Sequence, residues 1–254
     1  MGRAHDARLD GIEAYYDCVP RTAATVEEVG PFTLFVADEG TGWQFYARPR
    51  LGAHGVLTRE DVCRVLERQR ELDVPRAVEW VDEVTPSLLP ALRSAGHEPH
   101  RYPLLVMPSD VAVVADPRAR ALHPAEPHLS LALGSVSAGF AGRDEVEPKD
   151  PGKRPELMES GDLVVVASFE GNRLCGAGSA APRGDVAELM GIAVPPGHRG
   201  RGHGTAITST LVAVCREQGV EVVFLSAGSD AAVDIYRRIG FVDVGTACIL
   251  ELDD

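Results

Sequence analysis

The sequence predicts an α/β chain of two mixed-sheet halves, an N-terminal domain over residues 1–110 and a C-terminal domain over residues 111–254. Three observations predict it. Short β-branched apolar runs alternate with segments whose apolar residues recur at helical spacing. The order strand, loop, helix, strand, helix ending in glycine, strand can be read in both halves, as in a degenerate internal repeat. Between them, Pro108–Pro127 carries four prolines, as a boundary does.

The C-terminal half opens with a strand from about Val111, then a helix from Pro127 to Gly142 with Leu129, Leu133, Val136 and Phe140 as its apolar stripe. Leu163–Phe169, Arg173–Ala181 and Val186–Val194 read as an antiparallel three-strand meander, with turns at Glu170-Gly171-Asn172 and Pro182–Asp185. The glycine-rich stretch Gly197–Gly204 leads into a helix over Thr205–Gln218, stopped by Gly219. Val220–Leu225 is a buried strand, Asp230–Ile239 a short helix stopped by Gly240, and Phe241–Leu252 one or two closing strands.

In the N-terminal half, Phe32–Val36 and Trp43–Ala47 read as a hairpin across Glu39–Gly42. Thr58 caps a helix whose core stripe is Val62, Val65, Leu66 and Leu72. Ala77–Val81 is a strand, Thr85-Pro86 opens a helix closed by Gly96, and Tyr102–Met107 is the last strand. Trp43, Phe45, Tyr46 and Trp80 are candidates for a surface that packs on the other half.

A formal charge of −13 argues against a general affinity for nucleic acid or an anionic membrane and favours cationic acceptors such as amines. The opening MGRAHDARLDG has no apolar core of a secretory leader, and no apolar run approaches 18 residues, so a cytoplasmic protein is expected. Cys18, Cys63, Cys175, Cys215 and Cys248 show neither C-x-x-C nor a Cys/His pairing at zinc-ligand spacing. Buried free thiols and no metal are expected.

The loop Val194-Pro-Pro-Gly-His-Arg-Gly-Arg-Gly-His-Gly-Thr205 joins a strand to a helix start. Its glycines permit close approach of a ligand to the backbone, the helix N–H groups favour an anion, and Arg199 and Arg201 add cationic donors. A pyrophosphate suits such a loop. The Walker pattern fails because His203 and Gly204 replace Lys and Ser/Thr; the dinucleotide pattern fails because Thr205 stands where its third glycine belongs.

What remains is R-x-x-G-x-G, here Arg199 to Gly204, followed after a helix and a strand by Ala232-Val-Asp-Ile-Tyr236-Arg-Arg-Ile-Gly240-Phe241. These resemble motifs A and B of the GNAT N-acetyltransferases, over roughly residues 112–254. The resemblance implies a GNAT fold, with the C-terminal GNAT domain preceded by a degenerate GNAT-like domain. It implies acetyl-CoA as acyl donor, a small-molecule or peptide amine as acceptor, and a monomer or homodimer. A non-catalytic CoA-sensing module is the alternative.

By the same resemblance, backbone groups at Ile192, Ala193 and Val194 hold the thioester and pantetheine arm. The pyrophosphate falls to Arg199, Gly200, Arg201, Gly202, His203, Gly204 and Thr205. Ala232 and Tyr236 of motif B complete the donor site. Ser229 stands where many members have an asparagine on the cofactor arm. Tyr236 takes the general-acid position and Glu188 that of a strand general base. Strand alternation puts Glu188, Met190, Ile192 and Val194 on one face. The polar segment Arg143–Ser160 is expected to be a mobile acceptor loop. In the N-terminal half, Arg48–Gly55 lacks the loop motif and Leu92 occupies the counterpart of Tyr236, so no acyl-CoA site is expected there.

Overall fold

The computed structural model describes residues 7–38, 45–53 and 55–252. The turn expected at Glu39–Gly42, and Trp43, lie outside the described residues. Contacts divide the chain into two compact units. The first holds residues through Leu104 together with Ser226–Gly228 and Asp243 onward; the second holds Leu105–Leu225 and Ser229–Val242.

The first unit begins with helix α1 (Ala7–Cys18), then β1 (Ala24–Val29), β2 (Phe32–Ala37), β3 (Ala47–Pro49), α2 (Arg59–Glu71), β4 (Arg76–Val81), α3 (Leu88–Ser94) and the first part, to Leu104, of β5 (His100–Met107). The second contains β6 (Ala119–Ala121), α4 (His128–Phe140), α5 (Arg154–Glu159), β7 (Val164–Glu170), β8 (Arg173–Arg183), β9 (Val186–Ala193), α6 (His203–Glu217), β10 (Val222–Ser226) and α7 (Asp230–Ile239). The last strand, β11 (Val242–Leu252), pairs antiparallel with β4 from Ala247↔Val81 to Leu252↔Arg76, which is why it counts with the first unit.

Within the first unit the sheet order is β1-β2-β3-β4-β11-β5. Its hairpin is β1–β2, turned at Gly30 with φ +59°. The expected partner of β2 is displaced along the chain, since β3 pairs Phe32↔Pro49 through Leu34↔Ala47. Strand β1 and helix α1 escaped the sequence reading because neither has a clean apolar period: β1 is mostly solvated and α1 is only weakly amphipathic. Phe32, Leu34, Val62, Val65, Trp80, Leu88, Leu92, Cys248 and Leu250 share one core. Trp80 is therefore core of its own unit, and Tyr46 is held there too, by a bond from its hydroxyl to the Tyr16 carbonyl and by the Phe35 ring. Leu92 is wholly buried.

The second unit has the order β10-β9-β8-β7-β6, parallel only between β10 and β9. The strand expected from Val111 forms later, at β6. In α4 the residues that pack are small ones: Ala132, Ser135, Ala138 and Gly139 are buried beside Leu129, whereas Phe140 is 70% exposed. Their size lets the helix sit close to the sheet, since a Cβ on Gly139 would lie 2.9 Å from the Ala193 Cβ. The segment 143–160, expected to be an acceptor loop, is partly helical. It contains α5, and the Lys149 N–H donates to the Ser130 carbonyl at 3.0 Å. Of the cysteines, Cys175, Cys215 and Cys248 are buried, but Cys18 and Cys63 are exposed, a departure from the expected burial. No helix among the described residues is long and apolar enough to cross a membrane.

Candidate active site

Strand β9 sets the geometry. Its pairing with β8 runs from Arg183↔Val186 to Ser179↔Met190 and resumes at Ala177↔Ala193, so β9 carries one extra residue there. Gly191 supplies the left-handed conformation such a bulge needs, with φ +61°. Directly paired residues share a sheet face, so Glu188, Met190 and Ala193 lie with Ala181, Ser179 and Ala177. That face meets α4, where Ala177 packs with Leu129 and Ala132. Ile192 and Val194 point the other way. A Cβ on Gly178 would lie 2.7 Å from Ile192 and 3.0 Å from Ile207 of α6, and one on Gly176 would lie 2.9 Å from Val194. The expected single face of Glu188, Met190, Ile192 and Val194 is thus corrected: the bulge splits it after Met190.

On its other edge β9 pairs with β10 only from Val222↔Val186 to Phe224↔Glu188. Beyond Glu188 the ladder with β10 ends, and among the described residues the strand from Leu189 to Ala193 is in register with β8 alone. The edge backbone groups near Ile192, Ala193 and Val194 are thereby released from β10, as a ligand-accepting edge requires.

The glycine loop follows. Pro196–His198 form a short 3₁₀ turn in which the Gly197 N–H donates to Asp144 at 2.5 Å. Arg199 turns its guanidinium inward: Nε donates to the Val194 carbonyl at 2.9 Å and Nη2 to the Gly139 carbonyl at 2.7 Å. Its side chain ties the loop base to the end of α4, so the sequence reading of Arg199 as a cationic donor meets a guanidinium engaged in holding the loop. Gly200 and Gly202 are left-handed, at φ +73° and +84°. The Arg201 carbonyl accepts from Arg118 at 2.9 Å, and Arg118 is itself held by Asp116 at 2.7 Å. The Arg201 side chain is half-exposed and 3.3 Å from Glu170.

Helix α6 starts without a side-chain cap. Its N-cap is Gly202, and no acidic residue lies in its first turn. The first helical bond runs from the Ala206 N–H to the Gly202 carbonyl at 2.9 Å. The N–H groups of His203, Gly204 and Thr205 precede it and have no acceptor inside the helix. His203 is buried, with Nε2 3.2 Å from Glu170.

Helix α7 begins at Ser229, whose hydroxyl accepts from the Ala232 N–H at 3.3 Å. Both residues are engaged in capping, which is the physical reason for a serine at this position. Tyr236 is half-buried, its ring edge-on to Phe241 at 5.8 Å between centroids. Burial pushes its phenol above the ordinary tyrosine value. A tyrosine so placed stays protonated at neutral pH.

Asp144, Arg118, Asp116 and Glu170 support the loop and were not found by sequence reasoning. They reach it across separations of 53 residues for Asp144, 83 for Arg118 and 33 for the Glu170–His203 pair, and no local pattern marks such partners.

Residues 137–241 match the model of the acetyltransferase (GNAT) family. Among solved structures, a GCN5-related N-acetyltransferase from Kribbella flavida aligns over 97% of this chain and 96% of its own, with a TM-score of 0.74 at 22% identity. A putative acetyltransferase of the GNAT family from Novosphingobium aromaticivorans covers 95% and 97%, with a TM-score of 0.57 at 18% identity. A tandem GNAT protein from the clavulanic acid biosynthesis pathway covers 88% and 79%, with a TM-score of 0.56 at 14% identity. At these identities the likeness establishes the fold. No curated protein matches the chain.

Proposed function

From the match of residues 137–241 to the GNAT acetyltransferase model, we propose that the chain transfers an acetyl group from acetyl-CoA to a primary amine of a small molecule or peptide, by direct attack in a ternary complex. One observation carries this reading: a helix start without a side-chain cap or an acid, entered through two left-handed glycines, follows a strand end released from its neighbour.

The donor's pyrophosphate is assigned to the N–H groups of Gly200 to Thr205, where the α6 dipole is positive and nothing in the first turn repels an anion. Arg199 acts on that site through the backbone, by fixing both loop ends. The edge of β9 at Ile192–Val194 is assigned the thioester carbonyl, whose oxygen gains negative charge as the amine attacks. A carbon–nitrogen bond forms, the carbon–sulfur bond breaks, and the leaving sulfur takes a proton from Tyr236, whose burial keeps that proton on the phenol. Glu188 stands at the last β9–β10 pair, where the strands part, and is assigned the proton lost by the amine, directly or through water. The excess negative charge of the chain favours a cationic acceptor.

The test is thiol release from acetyl-CoA with a panel of small amines. Tyr236→Phe is expected to lower kcat by about 100-fold or more while leaving the KM for acetyl-CoA nearly unchanged. Equal turnover in the variant would remove Tyr236 from the chemistry. A thermal shift with CoA and none with ATP or NAD is expected; CoA binding without turnover on any amine would favour the sensing module.

A further inference from the structure

Beneath the glycine loop, side chains from four elements of the second unit converge: Glu170 at the end of β7, Cys175 in β8, His198 in the 3₁₀ turn and His203 at the start of α6. One donor atom of each lies within 4.8 Å of all the others. From this juxtaposition we infer a zinc-binding site that fastens both ends of the loop to the β7–β8 hairpin.

The convergence is built by the backbone. The β7–β8 register passes from Ser168↔Gly176 to Phe169↔Leu174, which leaves Cys175 as the unpaired residue of a bulge. Leu174 packs toward the α4 core, so Cys175 turns to the opposite side, where the loop lies. His198 and His203 bracket the loop, their rings 6.2 Å apart and edge to face.

The donor set is that of zinc: two imidazoles, a thiol and a carboxylate, a borderline-soft tetrahedral group. A second observation points to a ligand. The Nδ1 atoms of both His198 and His203 are buried without a hydrogen-bond partner among the described residues. The residues themselves are 8% and 2% exposed, and Cys175 is fully buried. Two buried imidazole nitrogens without a partner are costly unless something binds at the cluster.

Charge favours the same conclusion. A thiolate from Cys175 and the Glu170 carboxylate neutralise a divalent zinc held also by two neutral histidines, so the loaded site carries no net charge into the interior. On binding, the Cys175 thiol releases its proton to solvent and gives up its 3.3 Å bond to the Arg173 carbonyl. Glu170 exchanges Arg201 for the metal; Arg201, 56% exposed, is free to swing outward. Tetrahedral zinc with bonds of ~2.0–2.3 Å spaces its ligand atoms by roughly 3.3–3.8 Å, so the cluster closes by about 1 Å on loading. Glu170, 42% exposed, leaves an entry path from solvent.

His198 and His203, with four residues between them, have the spacing of a zinc-site histidine pair, but Glu170 and Cys175 lie more than 20 residues before them and complete no such pattern. Bulges and loop closure bring them together.

The experiment uses the full chain stripped with a chelator and titrated with zinc chloride, and separately with cobalt(II) as a spectroscopic probe. One metal per chain is expected, with tetrahedral cobalt bands and a thiolate-to-cobalt charge-transfer band. Saturating zinc should raise the thermal midpoint by roughly 5–10 °C at 100-fold excess over Kd. Cys175→Ala should abolish the charge-transfer band. Glu170→Gln, an exposed change that leaves the fold intact, should weaken zinc binding by about tenfold or more. The site is refuted if the wild type shows no charge-transfer band, or if the band survives Cys175→Ala and so belongs to Cys18 or Cys63. The zinc readout stands apart from the acetyltransferase reading: uptake of zinc without CoA binding would sink that reading alone, and CoA binding without zinc would sink this one alone.

Discussion

Helices α2 and α6 hold equivalent places in the two units, each between a strand and its parallel neighbour, and their first turns are built in opposite ways. In α2, Thr58 and Asp61 form a reciprocal capping box, and Glu60 and Asp61 put two acids in the first turn. The helix satisfies its own N–H groups and repels an anion. In α6 the cap is a left-handed glycine, the first turn holds no acid, and the N–H groups stay open. One design stabilises the helix; the other gives up that stability for an anion site.

Transplanting the box is the strongest way to break this contrast. Gly202→Thr with Thr205→Asp should weaken CoA binding by roughly 100-fold in a calorimetric titration. The box occupies N–H groups that the pyrophosphate would take, a charge-assisted bond worth about 1.5–3 kcal/mol, and the first-turn carboxylate adds about 1 kcal/mol against an anion. An unchanged Kd would mean that α6 does not hold the pyrophosphate. The reverse change sharpens the comparison: Thr58→Ala should lower stability to urea by about 1 kcal/mol and leave CoA binding unaltered.

The smallest effect concerns α4, whose entry is supported by Glu126. Its carboxyl is held down to about 2, chiefly by Arg120, with help from the His123 N–H and from His128. A carboxylate depressed in the folded state stabilises at pH values above its ordinary 4.5 and loses that contribution as pH falls toward 2. Since Arg120 is half-exposed, Glu126→Gln should cost no more than about 1 kcal/mol at neutral pH. The two proteins should converge in urea titrations only as the pH reaches about 2; a full difference that persisted there would place the effect elsewhere.

The strands of the meander, the α6 and α7 helices and the Thr58 cap were legible because each is encoded within a short stretch by period, glycine or capping residue. Gly219 and Gly240 end their helices in the left-handed conformation the sequence reading required. The faces of β9 were misread because alternation assumes an unbroken ladder, and Gly191 inserts a residue that only the pairing with β8 reveals. The stripe of α4 was misread for a related reason. Helical spacing favoured large residues such as Phe140, but close approach to β8 and β9 selects the small ones.

The sequence by itself determined the order of elements, the glycine loop and the pairing of two motifs, since backbone conformation and helix starts follow local chemistry. Tertiary structure alone decided which way Glu188 faces, that Arg199 holds carbonyls, and that Glu170, Cys175, His198 and His203 meet. These depend on strand register and on contacts between residues distant in the chain, which sequence spacing does not contain.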